Sequence, residues 1–153
     1  MLSNVKLPKR KLYLILIFAS LQIMSISLDT MIRVKDIYLF EEWLIVNEIA
    51  ANSEYELNQF FNSYLIIGLA SMFMKVIVPI ALSIHSYFAY TRIRINRLFI
   101  FIWSVLLLGG LALELISLNF GSIFFYINSI AYIALIFTIL SLNSVIENFS
   151  VKR

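Results

Sequence analysis

The sequence predicts an all-α integral membrane protein: a four-helix bundle with both termini in the cytoplasm and an amphipathic helix in the outer loop between spans 1 and 2. Three observations predict it: the composition, four apolar runs of membrane-spanning length, and a lopsided distribution of Lys and Arg. The 153 residues are 61% hydrophobic and 14% charged, with a mean hydropathy of +0.92. Soluble domains run to about half apolar and about a quarter charged. A chain this short also has a poor surface-to-volume ratio, so folding on itself in water would leave a continuous apolar patch exposed. Lipid is the solvent that fits, and the whole chain reads as a single membrane domain.

A bilayer core of about 30 Å takes roughly 20 helical residues. Four runs approach or exceed that length, at residues 12–28, 64–90, 98–118 and 123–142, with residues 29–63 left as a loop. The first follows Lys6, Lys9, Arg10 and Lys11 and closes at Asp29. The second is interrupted by Lys75, Pro79 and His85 and is followed by Arg92, Arg94 and Arg97. The third carries one acid, Glu114. The fourth holds no charge before Glu147, Lys152 and Arg153. Asn119, Phe120, Gly121 and Ser122 make a turn short enough to force the last two spans antiparallel. The first run also fits a secretory signal loosely, with Ser25-Ile26-Ser27 as a weak cleavage site.

Basic residues beside short loops are retained in the cytoplasm. An inside N-terminus puts the four N-terminal cations, the three arginines of the second loop and the C-terminal pair on that side. Arg33 and Lys35 are then the basic residues of the outer loop, which also holds Asp29, Asp36, Glu41, Glu42, Glu48, Glu54 and Glu56, seven of the nine acids. The net charge of +3 is thus explained by topology and lipid headgroups, and no nucleic-acid partner is expected.

The outer loop carries its own pattern. From Asp36 to Ala50, Leu39, Phe40, Trp43, Leu44, Val46 and Ala50 fall on one side at helical spacing, with Glu41 and Glu48 opposite. Asp36 suits an N-cap, and Ser53-Glu54-Tyr55-Glu56 is a capping box that starts the second long helix outside the lipid. Leu39, Phe40, Trp43 and Leu44 are a candidate outer docking face, or else the inner face of a lid on the bundle.

Chemistry has few places to reside. Without cysteine there is no disulfide, thiolate metal site or thiol catalysis. No phosphate loop, paired-histidine ligand set or hydrolytic triad spacing is present, so neither an enzyme nor a cofactor is expected. Polar residues inside apolar spans are costly and become the candidates. Lys75 and Glu114 are expected to pair at similar depth between the second and third spans. Gln22, Ser25 and Asn128 are a candidate polar cavity near the outer leaflet, and His85 a candidate interface proton site. Pro79 is expected to kink its helix, and Gly109, Gly110 and Gly68 to admit close helix contacts.

Two classes of function remain. One is a non-catalytic accessory, immunity or regulatory protein that binds another membrane protein through the outer loop. The other is a small transporter or channel, oligomeric because four helices enclose little pore, using Lys75 and Glu114. The accessory reading is preferred because the lower halves of spans 3 and 4 look too apolar to line a path. Abundant Ile, Leu, Asn, Ser and Phe beside few Ala and Gly point to a bacterial source and so to the plasma membrane.

Overall fold

The structure, a computed structural model of the chain, describes residues 5–50, 53–116 and 120–151. Six helices follow in order: α1 (Lys9–Arg33), α2 (Ile37–Val46), α3 (Glu54–Thr91), α4 (Arg97–Ile116), α5 (Ile123–Leu140) and α6 (Leu142–Val151). No strand occurs among the described residues, only an isolated antiparallel bridge between Val5 and Ile95. Four helical segments are long and apolar enough to cross a membrane: α1, α3, α4 and the segment that α5 and α6 make together. Residues 117 and 118 of the expected third span, Asn119 of the expected turn, and Lys152 and Arg153 lie outside the described residues.

The helices begin and end where backbone chemistry allows, not where hydropathy changes. Helix α1 starts after Pro8, whose carbonyl accepts from Lys11 and Leu12 N–H. It takes in Lys9, Arg10 and Lys11 and continues past Asp29 to Arg33, so it is longer than its apolar run. The Asp36 carboxylate accepts from Tyr38 N–H at 3.0 Å and caps α2. That helix stops at Val46, short of the Ala50 end expected, because Asn47 closes it with its side chain donating to the Trp43 carbonyl and Glu48 takes a positive φ of 55°. Ser53 Oγ accepts from Glu56 N–H at 3.2 Å and caps α3. Asn96 Oδ1 accepts from Phe99 N–H at 2.8 Å at the start of α4, and Ser122 Oγ accepts from Phe124 N–H at the start of α5.

At 38 residues, α3 is roughly 57 Å long by the helical rise, against roughly 30 Å for the 20 residues of α4. It stays one continuous helix across Pro79, where the ring removes an N–H and Ser83 Oγ donates to the Pro79 carbonyl. Its outer part, from Glu54 to about Tyr64, carries α2. Phe40 is buried there against Phe61 and Tyr64, with ring centroids 5.2 and 5.5 Å away, and Trp43 sits 5.7 Å from Tyr64. Replacing Phe40 with Ala is expected to remove about 3 kcal/mol of packing. Hydrogen exchange should then accelerate across Ile37–Val46 while α1, α4 and α5 keep their protection.

Helix α1 packs along both α3 and α5, α4 packs along α5, and α3 meets α4 more loosely. The interior divides into two zones along the helices. At the end where the N-terminal segment, the α3–α4 turn and α6 gather, a tight apolar core includes Leu7, Ile15, Leu82, Ile95, Leu107 and Leu135. Val5 and Ile95 exchange backbone hydrogen bonds of 3.1 and 2.7 Å, and Leu7 N–H reaches the Ala89 carbonyl. The N-terminal segment is thereby stitched to the end of α3 and the α3–α4 turn. Beyond the expected fourth span, which ends at residue 142, the chain forms α6: Ser141 interrupts the helix, and the buried Leu142 and Ile146 join that core. The other end, toward α2, holds the buried Gln22, Ser25, Glu114 and Asn128, while Ser86, Ser104 and Thr138 are buried hydroxyls within the apolar end.

Candidate functional site

Two charges in apolar runs meet because of helix register. Lys75 lies sixteen residues before the end of α3 at Thr91, and Glu114 seventeen after the start of α4 at Arg97. Both therefore stand about 25 Å above the turn that joins the two helices. Helical side chains lean toward their own N-terminus, so Lys75 leans toward the α2 end and Glu114 away from it. Lys75 Nζ lies 3.4 Å from Glu114 Oε2. The partners are unequally sheltered, with side-chain exposures of 39% for Lys75 and 8% for Glu114. Asn128 of α5 adds a second donor, its Nδ2 lying 3.3 Å from Glu114 Oε1. One carboxylate thus ties α3, α4 and α5.

Around it the interior is polar but incompletely bonded. Gln22 and Ser25 of α1 are 0% and 2% exposed and Asn128 is 2% exposed. The Gln22 amide is turned toward the Tyr132 hydroxyl, yet neither of its polar atoms closes a hydrogen bond, nor do Ser25 Oγ, Asn128 Oδ1 and Ser129 Oγ. Gly110, one turn before Glu114, makes room for Tyr132: a Cβ there would come within 2.6 Å of the ring and hydroxyl. Gln22, Ser25 and Asn128 are thus placed in the buried zone of Glu114. No group of three or more His, Cys, Asp and Glu side chains able to hold a metal occurs among the described residues.

His85 belongs to the other end. Its Nδ1 accepts from Trp103 Nε1 at 3.1 Å, and its ring packs edge-on against Phe99 and Trp103. An accepting Nδ1 places the proton of the neutral ring on Nε2. The contact joins α3 to α4 near their common turn, well away from Glu114. Trp103→Phe is expected to cost about 1 kcal/mol through the lost bond, read as a lower midpoint in a denaturation curve, with the helix content of the folded state unchanged.

The expected docking face lies partly inside the chain. Phe40 is buried, while Leu39, Trp43 and Leu44 are half-buried, and Phe40 and Trp43 pack on α3. Helix α2 instead presents Tyr38, Glu41, Glu42 and Ile45 outward at i, i+3, i+4 and i+7, all exposed.

A cleft that the sequence reading missed opens between α1 and α3 below Trp43. It encloses about 240 Å³ and is lined among others by Asp29, Arg33, Tyr64, Ser71 and Lys75. Its α3 wall is a stripe of Tyr64, Gly68, Ser71 and Lys75, visible as i, i+4, i+7 and i+11 spacing. Its α1 wall needs the pairing of two distant segments, which no local pattern reveals.

Fold and site together define an all-helical protein with four helical segments able to span a bilayer, its buried charge and amides gathered at one end of the interior and its large apolar core at the other. Comparison with known proteins finds no matching family model, no matching curated sequence and no matching solved structure.

Proposed function

We propose that the chain is a four-helix bundle of the bacterial plasma membrane, with both termini in the cytoplasm, acting as a non-catalytic accessory, immunity or regulatory partner of another membrane protein. The orientation rests on charge. Lys6, Lys9, Arg10, Lys11, Arg92, Arg94 and Arg97 gather at the terminal end, and the acids of α2 and its flanks at the other. The positive-inside rule assigns the first end to the cytoplasm. Helix α1 is retained as a span in this reading, since its buried face of Leu12, Ile15, Ala19 and Gln22 fills the space between α3 and α5.

The observation that carries the function is the apolar plug in the cytoplasmic half. Leu82, Leu107, Leu135 and Ile139 are fully buried there. Of the hydroxyls at that depth, Thr138 donates to the Ala134 carbonyl and Ser141 to the Thr138 carbonyl of their own helical segment, while the buried Ser86 and Ser104 hydroxyls bond to no partner among the described residues. A transport path needs polar groups or water along its length; this half supports a sealed scaffold instead. The partner surface is then the outer arm, where α2 shows two acids between Tyr38 and Ile45 and α3 adds Tyr55 and Leu57. Mixed aromatic, aliphatic and acidic groups outside the membrane suit a protein contact.

Co-purification from native membranes in mild detergent tests this. A stoichiometric partner should accompany the wild type and the Lys75→Met/Glu114→Leu double variant, and recovery should fall about tenfold, the equivalent of one lost contact of 1.4 kcal/mol, in Tyr38→Ser/Ile45→Ser. The reading fails if only self-oligomers are recovered and folded Lys75 or Glu114 variants lose a proton or solute flux in liposomes. That result would establish the outward-facing polar zone as part of a small oligomeric transporter.

A further inference from the structure

The cleft between α1 and α3 brings together two cations from opposite ends. Arg33 closes α1, and Arg33 side-chain Nε lies 3.3 Å from both oxygens of Asp29, one turn back. Arg33 therefore leans down the cleft from the α2 end, as helical side chains do. Lys75 belongs to an antiparallel helix and leans up the cleft from below. Both line the same cleft of about 240 Å³. On the side of the molecule that carries seven of the nine acids, the cleft lining sets two cations against one acid, Asp29.

Each cation keeps donors in reserve. A guanidinium has five N–H donors in a rigid fork, and among the described residues the Arg33 side chain bonds through Nε, with its two terminal nitrogens left for a ligand. An ammonium has three donors, and Lys75 has one bond, to Glu114. The acid that lines the cleft, Asp29, is occupied: Arg33 Nε and Ser122 Oγ both contact it. Asp29 therefore orients the guanidinium through its Nε. The Ser71 and Thr30 side chains add hydroxyls to the lining, and Trp43 and Tyr64 close its upper end, the aromatic pair expected at headgroup depth.

The stripe from Tyr64 to Lys75 makes the cleft about 16 Å long by the helical rise, running from headgroup level into the apolar zone. Below and beside it both helices turn aliphatic and aromatic side chains outward, with Met24 and Leu28 on α1 and Phe73 and Met74 on α3. A polar, cationic cleft that opens at headgroup depth and is flanked by apolar helix faces matches one class of ligand.

We propose that this cleft binds the phosphate of a membrane phospholipid, gripped by the Arg33 fork from above and by Lys75 from below, with the acyl chains lying along the outward faces of α1 and α3. The bound phosphate bridges the two cations and locks α1 to α3 beneath the α2 arm. The inference rests on the membrane placement of the helices and is independent of the accessory role, since a lipid holding the arm in place would serve either class of function.

Native mass spectrometry of the detergent-released protein tests it, with phosphatidylglycerol, diacylglycerol and inorganic phosphate as separate probes. Wild type and Lys35→Gln, whose exposed cation lies outside the cleft, should each retain phosphatidylglycerol. Arg33→Gln should lose it by about tenfold, the scale of a charge-assisted contact. Ser71→Phe, which fills the cleft and leaves every charge in place, should lose it equally, with circular dichroism reporting the wild-type helix content for both. Diacylglycerol should not be retained, and a large excess of inorganic phosphate should not displace the lipid. Equal retention by Arg33→Gln and wild type, or equal retention of diacylglycerol, would overturn the proposal. Displacement by phosphate would also overturn it, assigning the cleft to a soluble anion.

Discussion

Replacing Lys75 with methionine is expected to destabilise the folded protein by about 3 kcal/mol, the cost of leaving a buried ionised partner without its counter-charge. The Glu114 carboxylate would keep the Asn128 amide at 3.3 Å but lose its cation in a site where its side chain is 8% exposed. The converse change should be milder. Glu114→Leu leaves a lysine whose long stem can carry the ammonium toward the interface, and Lys75 is already 39% exposed, so the expected loss is about 1 kcal/mol, the scale of polar contacts between membrane helices. Combining Lys75→Met with Glu114→Leu should recover most of the first loss, because a well-packed apolar pair often matches a buried ion pair. Denaturation in sodium dodecyl sulfate followed by tryptophan fluorescence gives all three values. A double variant as unstable as Lys75→Met would show that the charges do more than dock α3 on α4.

The second large effect separates two adjacent glycines. Gly110→Ala places a methyl within 2.6 Å of the Tyr132 ring and hydroxyl, and Tyr132 is itself buried at 4% exposure between α1 and α4. Either the ring leaves its site or α4 moves off α5, and overpacking of this kind costs about 1–3 kcal/mol. At Gly109 a Cβ meets nothing within 4 Å, so Gly109→Ala should be neutral or raise stability by up to about 1 kcal/mol through helix propensity. The same denaturation assay reads both, and Tyr132→Ala combined with Gly110→Ala should remove the clash. Gly110→Ala indistinguishable from Gly109→Ala would mean that α4 and α5 do not approach through Gly110.

How much of this was legible in the sequence depends on whether the determining contact is local. The caps at Asp36 and Ser53 are readable because donor and acceptor lie within three residues of each other. The four apolar runs are readable because bilayer thickness sets their length, whereas the true ends of α1 are not: helix formation continues through Lys9–Lys11 and on to Arg33 regardless of polarity. Lys75 and Glu114 stand out as isolated charges, and counting from their shared turn gives their common depth. Counting from the outer ends puts Lys75 deeper, because α3 overshoots α4. Helix α6 has a signal in Leu142, Val145, Ile146 and Phe149 at i, i+3, i+4 and i+7, although Asn143, Ser144 and Glu147 lower its hydropathy. The Trp103 partner of His85, the Val5–Ile95 bridge, the Arg33–Lys75 cleft and the difference between Gly109 and Gly110 all depend on which distant helix lies opposite. No local spacing encodes that.

The proposed orientation underlies the proposed sealed scaffold, partner arm and lipid cleft alike, and the chain contains no cysteine to interfere with labelling. Single cysteines placed at the exposed positions Glu42, Arg94 and Ser144 can therefore be probed in intact cells with a membrane-impermeant maleimide. Glu42→Cys should be labelled from outside, while Arg94→Cys and Ser144→Cys should be labelled only after the membrane is opened. Labelling of Arg94→Cys in intact cells, or protection of Glu42→Cys until lysis, would contradict that orientation.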